Sequence, residues 1–152
     1  MWKQPDSQPS KDTAKAEKYL RTLLSRGLWP KSIALKKLLG RGISGEAAEE
    51  LVEQYDEAGF FDDEAYALLF LESRREWGIF RLRGELRRRG IGEDIVRRVL
   101  EDIDEEERAE ALVREWIRQG TERRKMEERL LRRGFSARVS RKVVERACEG
   151  EL

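Results

Sequence analysis

Arginine is the residue whose placement most strongly indicates chemistry in this chain. It stands immediately before three regularly spaced glycines, as Arg41, Arg89 and Arg133, at intervals of 48 and 44 residues. The planar guanidinium group binds phosphates and carboxylates through two parallel hydrogen bonds. The recurrence therefore predicts a surface that binds an anionic partner.

Further basic residues surround each of these arginines. Segments 26–41, 74–89 and 118–133 carry net charges of +5, +5 and +4, whereas 43–64 and 93–107 carry −9 and −6. The whole chain carries only +1, so affinity for an anion must come from local segregation of charge. Helical residues seven apart share a face, which groups Arg81 with Arg88 and Lys125 with Arg132. The predicted partner-binding residues are Arg41, Arg74, Arg75, Arg81, Arg83, Arg87, Arg88, Arg89, Lys125, Arg132 and Arg133.

The residue types that most often serve catalysis and metal binding are scarce. The chain has no histidine and one cysteine, Cys148, which we expect to be a small packed residue. The run Asp62-Asp63-Glu64 is typical of a helix start, where Asp62 caps and the other acids favour the helix dipole. Glycine-rich phosphate loops and zinc-protease motifs are missing. We predict no catalytic site, no metal and no cofactor.

The composition indicates that the chain has no single large hydrophobic core. Apolar residues make up 39% and charged residues 41% of 152 positions, so narrow apolar seams between helices fit better than one large core. No apolar run reaches 18 residues, and the polar start with Pro5 and Pro9 differs from a signal sequence. We therefore expect no membrane contact and a cytoplasmic location.

The three glycines also mark an internal repeat. Four positions before them lie Leu38, Leu86 and Leu130, and five positions after them lie Ala47, Ile95 and Val139. Apolar residues at such spacing predict two amphipathic helices joined by a tight turn, with the glycine in the left-handed conformation. Ser44 and Ser136 are placed to cap the second helix of their pairs.

A further amphipathic helix precedes each pair, over about 14–25, 63–77 and 105–119. The sequence therefore predicts an all-α fold of three tandem three-helix repeats at 14–61, 62–104 and 105–150, after a disordered tail at 1–13. Pro30 is predicted in the first turn of a helix. We expect about nine helices in an elongated, curved array, with the basic middle helices along one flank.

One segment resembles a known family. Residues 57–91, EAGFFDDEAYALLFLESRREWGIFRLRGELRRRGI, are similar to the signature of the RecX family of bacterial regulators of recombination. The matching elements are Gly59-Phe60-Phe61-Asp62-Asp63, Tyr66-Ala67, Arg74, Gly78, Arg81-Leu82, Glu85-Leu86 and Gly90-Ile91. The chain departs from the pattern at Arg89, where a lysine is expected, and the charge is retained. The resemblance also covers the tandem three-helix repeats.

The resemblance implies a non-enzymatic protein that binds the RecA filament on single-stranded DNA. Family members generally block filament growth and suppress ATP hydrolysis and strand exchange, and some also contact DNA. It implies roles in DNA repair, homologous recombination and the SOS response, and the matched motif favours Arg74 and Arg81 as contact residues. No long heptad seam is present, so we expect a monomer.

The residues themselves leave alternatives open. A stand-alone DNA-binding protein would also carry recurrent basic helices, and a helical scaffold for another protein would show similar charge segregation. A highly charged surface also solubilises slim helices through pairs four residues apart. Trp29, Trp77 and Trp116 are expected to anchor the core, with base stacking as the alternative for Trp77 beside Arg74 and Arg75.

Overall fold

The computed structural model describes residues 11–152, which contain nine α-helices and no strand. In chain order they are α1 (Lys11–Ser25), α2 (Lys31–Gly40), α3 (Gly45–Glu57), α4 (Asp63–Ser73), α5 (Ile79–Arg88), α6 (Glu93–Glu101), α7 (Glu105–Arg118), α8 (Arg123–Arg132) and α9 (Ala137–Cys148). The all-α prediction is confirmed. Of the predicted tail, residues 1–10 lie outside the described residues, and α1 already begins at Lys11.

The helices group into two compact units. The first ends at Tyr66, and the second comprises Ala67–Leu152. In the first, buried side chains of α1, α2 and α3 form one apolar cluster that includes Leu20, Leu38 and Val52. In the second, α7, α8 and α9 enclose a cluster that includes Val113 and Phe135. Within the described residues, no helix combines the length and the apolar character needed to cross a membrane.

The predicted glycine turns are confirmed. Gly90 and Gly134 have φ angles of 77° and 89°, in the left-handed region that glycine adopts without a steric cost. In the second of these turns the Phe135 N–H donates to the Leu130 carbonyl across the helix end at 3.0 Å, as in a Schellman motif. Ser44 and Ser136 each accept a hydrogen bond from the backbone N–H three residues on, both at 3.3 Å.

Three sequence-based expectations were wrong in detail. Helix α4 ends at Ser73 and not at Trp77, because Arg108 of α7 donates to the Leu71 carbonyl, the acceptor of the next helical hydrogen bond. Pro30 is the N-cap of α2, with ψ at 140°, one residue before the first turn. Cys148 is exposed, because it lies on the outer face of α9, next to the inward-facing Ala147.

Candidate functional site

In the second unit, the start of α5 and the turn between α8 and α9 meet through backbone hydrogen bonds. The Gly78 N–H donates to the Arg133 carbonyl at 2.8 Å, and the Phe80 N–H donates to the Gly134 carbonyl at 3.0 Å. A Cβ atom on Gly134 would lie 2.5 Å from the Cβ atom of Arg81, and one on Gly78 would overlap the backbone nitrogen of Phe135. Only glycine at both positions allows the first turn of α5 to dock on the α8–α9 turn.

Two arginines pack on the indole ring of Trp77, the residue directly before this docking point. The guanidinium carbon of Arg81 lies 4.0 Å from the indole centroid, and that of Arg74 lies 5.2 Å from it. The half-buried indole packs edge-on against Phe70 at 6.0 Å. Cation–π contacts therefore hold both guanidinium groups in place without neutralising their charge.

A second pair of arginines packs on Trp116 of α7. The guanidinium carbons of Arg129 and Arg133 lie 5.4 Å and 5.5 Å from its ring centroid. This tryptophan is 7% exposed, as predicted for a core anchor. We call Arg74, Arg81, Arg129 and Arg133, with the two tryptophans that hold them, the basic junction.

The charge of the basic junction is not compensated by carboxylates. Within residues 11–152, none of its four arginines forms an ion pair. Three other predicted arginines do form ion pairs: Arg75 with Glu72 and Glu107, Arg87 with Glu93, and Arg88 with Glu85. Four guanidinium groups without acids repel one another, and a bound phosphate or carboxylate would relieve that repulsion.

The remaining predicted residues lie elsewhere. Arg83 packs over Phe80 at 5.8 Å and Arg89 packs over Phe70 at 4.6 Å. Lys125 and Arg132 are exposed on α8, and neither forms an ion pair among the described residues. Arg41 packs over Tyr19 at 4.2 Å in the first unit. A flank shared by all three basic middle helices therefore stays a prediction.

Arg108 of α7 positions the turn that carries Trp77. Its side chain, 5% exposed, donates to the carbonyls of Leu71 and Arg74 at 3.1 Å each. Burial is the main cause that lowers the pKa of this guanidinium from its ordinary value. The same carbonyls accept the N–H groups of Arg74 and Trp77 at 3.3 Å and 3.1 Å, so Arg108 supplies a second donor to each and fixes the backbone of Arg74.

The sequence reasoning missed Arg108 and Arg129, although both left a signal. Arg108 lies four positions before Leu112 on the apolar stripe of α7, and that position predicts a side chain directed toward the core. Arg129 lies four positions before Arg133, which places both on one face of α8 and its end. A count of the charges in each helix does not show on which face of the helix a side chain lies.

Replacing Arg108 by methionine is expected to lower the free energy of unfolding by about 2 kcal/mol, because two hydrogen bonds from a charged donor to backbone carbonyls are lost. Urea denaturation followed by circular dichroism measures this loss. Arg114→Met on the same helix is the matched control. That residue is exposed and pairs with Glu110 at 3.7 Å, so we expect a change of less than about 0.5 kcal/mol. Equal losses in both variants would contradict the capping role.

No group of three or more potential metal ligands occurs within residues 11–152. Asp62 accepts a hydrogen bond from the Ala65 N–H at 2.9 Å, which confirms its predicted role as a helix cap. Asp63 accepts from the Lys31 N–H at 3.1 Å and so caps α2. Burial is the main cause that raises the pKa of its carboxyl group. The acidic run at the start of α4 therefore has a structural role.

Comparison with known proteins gives consistent matches. The family described as "RecX, second three-helix domain" matches residues 62–100. "Regulatory protein RecX" of Mycobacterium sp. (strain JLS) is 31% identical over 97% of this chain and 88% of its own length. The protein of the same name from Streptomyces coelicolor is 35% identical over 78% of this chain and 68% of its own length.

Solved structures share the fold. The crystal structure of RecX from Lactobacillus salivarius superposes with a TM-score of 0.78, at 19% identity, over 91% of this chain and 97% of its own. A second crystal structure, of regulatory protein RecX, has a TM-score of 0.74 at 25% identity, over 88% of this chain and 72% of its own. The likeness therefore extends well beyond residues 62–100.

Proposed function

This chain belongs to the RecX family of regulatory proteins, and from that premise we propose that it binds the RecA filament on DNA and inhibits it. The family is regulatory, and the basic junction is suited to binding rather than to chemical conversion. In this proposal the protein acts in the cytoplasm as a monomer and serves DNA repair, homologous recombination and the SOS response.

The observation that carries the proposal is the set of four arginines without carboxylate partners in the basic junction. A RecA filament offers two sources of anionic groups, the phosphates of its DNA and the carboxylates of its subunits. Because stacking on indole restricts the guanidinium groups before binding, less side-chain entropy is lost when an anion arrives.

Inhibition follows from occupancy of the filament. A protein bound to filament subunits obstructs the addition of the next subunit and the movements that accompany ATP hydrolysis. The same obstruction lowers strand exchange, because that reaction needs a continuous filament. Substoichiometric amounts suffice where one bound molecule stops the growth of a whole filament end.

The test is the DNA-dependent ATPase of RecA, measured with increasing amounts of this protein. We expect the hydrolysis rate to fall at less than one molecule per RecA subunit, and filament length in electron micrographs to fall with it. An unchanged rate at every ratio would overturn the proposal.

A stand-alone DNA-binding function is the second candidate, favoured by the half-buried indole of Trp77 between unpaired arginines. It requires tight binding to bare DNA and an affinity that falls steeply with salt, because phosphate contacts release counterions. Gel-shift titrations at several salt concentrations, without RecA, decide this question. Weak binding, or a shallow dependence on salt, eliminates the candidate.

A further inference from the structure

The outward face of α5 has an unexplained glycine at its centre. Gly84 lies opposite the buried Leu82 and Leu86, and a Cβ atom added to it would meet nothing within 4 Å. In the interior of a helix, glycine is about 1 kcal/mol less favourable than alanine. Since no neighbour in the second unit needs the missing side chain, the fold alone does not account for this residue.

An exposed aromatic ring stands next to this gap. Phe80, one helical turn before Gly84, is 57% exposed, and the guanidinium carbon of Arg83 lies 5.8 Å from its ring centroid. Phe80 and Gly84 share one face of the helix because they are four residues apart. We call this pair, with Arg83 beside it, the α5 step.

The internal repeat shows that the α5 step occurs only in the second of the three predicted repeats. Phe80 and Gly84 lie ten and six positions before Gly90. The residues at the same distances before Gly42 and Gly134 are all polar or charged: Ser32, Lys36, Arg124 and Glu128. A large apolar side chain and a glycine therefore replace polar residues on the solvent face of one helix only.

Two helices pack closely when a side-chain ridge of one fits into a groove of the other. On α5, Phe80 forms such a ridge, and the missing side chain of Gly84 leaves such a groove. Resting on the proposed function, we propose that the α5 step docks an amphipathic α-helix of RecA. That helix crosses α5 at Gly84, places an apolar side chain against Phe80 and directs a carboxylate to Arg83.

The charges of this face favour a protein helix over a nucleic-acid strand. The Nε atom of Arg87 donates to Glu93 at 2.8 Å, and Arg88 donates to Glu85 at 2.9 Å, so phosphates would have to displace carboxylates already bound there. Arg83 attracts the Glu93 carboxylate and helps to lower its pKa, but it forms no close ion pair among the described residues, so an acid of the docking helix can bind it directly. Phosphate binding fits the basic junction better.

The test uses the full chain and RecA filaments assembled on single-stranded DNA with a non-hydrolysable ATP analogue. Gly84→Leu fills the gap with a good helix former, and Phe80→Ala removes the ring. Each variant is expected to bind filaments at least tenfold more weakly in a sedimentation assay, with unchanged helicity and unchanged affinity for bare DNA in a gel shift. Gly40→Leu is the matched control, because Gly40 is also helical with open space around it.

The outcomes separate this proposal from the proposed function. If the unaltered protein does not bind filaments, the proposed function fails, and the docking helix with it. If the unaltered protein binds and both α5 variants bind equally well, the α5 step is not the docking surface. If the variants lose affinity for bare DNA to the same extent as for filaments, the face binds nucleic acid and the proposal is overturned.

Discussion

Replacing Gly78 by alanine is expected to lower the free energy of unfolding by about 3 kcal/mol, the upper end of the usual cost of overpacking. The added Cβ atom would overlap the backbone of Phe135. A change of side-chain rotamer cannot relieve a clash with backbone atoms. Relief requires α5 to move off the α8–α9 turn, which breaks the hydrogen bonds from Gly78 and Phe80. Urea denaturation measures the loss.

Gly84→Ala on the same helix is the control for this prediction. Open space surrounds Gly84, so alanine there is expected to raise the free energy of unfolding by about 1 kcal/mol through helix propensity alone. The two substitutions are chemically identical and should change stability in opposite directions. A similar small change at both positions would show that the backbone contact at Gly78 is not as tight as described.

The double substitution Arg81→Gln with Arg129→Gln is expected to reduce affinity for the RecA filament about 100-fold. Each arginine lost removes a charge-assisted hydrogen bond to the anionic partner, worth about 1.5 kcal/mol or more, and each 1.4 kcal/mol is a factor of ten. Neither side chain makes an ion pair in the described part of the chain, so the fold loses little. Filament sedimentation gives the affinity, and circular dichroism confirms the fold.

A control with the same change in net charge separates local contact from long-range attraction. Arg97→Gln with Arg114→Gln also removes two positive charges, but these residues already pair with Asp94 and Glu110, at 3.2 Å and 3.7 Å. We expect this variant to bind within about threefold of the unaltered protein, because surface pairs contribute little. An equal loss in both double variants would refute a specific role for the basic junction.

Local features of this fold were predictable from the sequence because they depend on residues close together in the chain. The left-handed conformation of Gly90 follows from apolar residues four and five positions away, and the caps at Ser44, Asp62 and Ser136 follow from hydroxyl or carboxyl groups at helix starts. The segregation of charge among the helices was equally visible, since it needs only the helix boundaries.

Contacts between distant segments were not predictable in the same way. The family signature singled out Gly78, but its reason lies 55 residues away, where the Arg133 carbonyl and the Phe135 nitrogen leave no room for a side chain. The stacking of Arg74 and Arg81 on Trp77 depends on where α4 ends, and that end depends on Arg108 of α7, more than 30 residues along the chain. Charge counts alone did not distinguish Arg87, which forms an ion pair with Glu93, from Arg81, which forms none among the described residues.

The two tryptophans of the basic junction have a spectroscopic consequence. Indole emission responds to charge near the ring, and Trp77 and Trp116 each lie under two guanidinium groups. An anion that binds those groups adds negative charge near the rings and so changes the wavelength and intensity of that emission. The molecule thus carries a native optical reporter at its candidate binding surface, and the variants Trp77→Phe and Trp116→Phe would show which pair of arginines gives the signal.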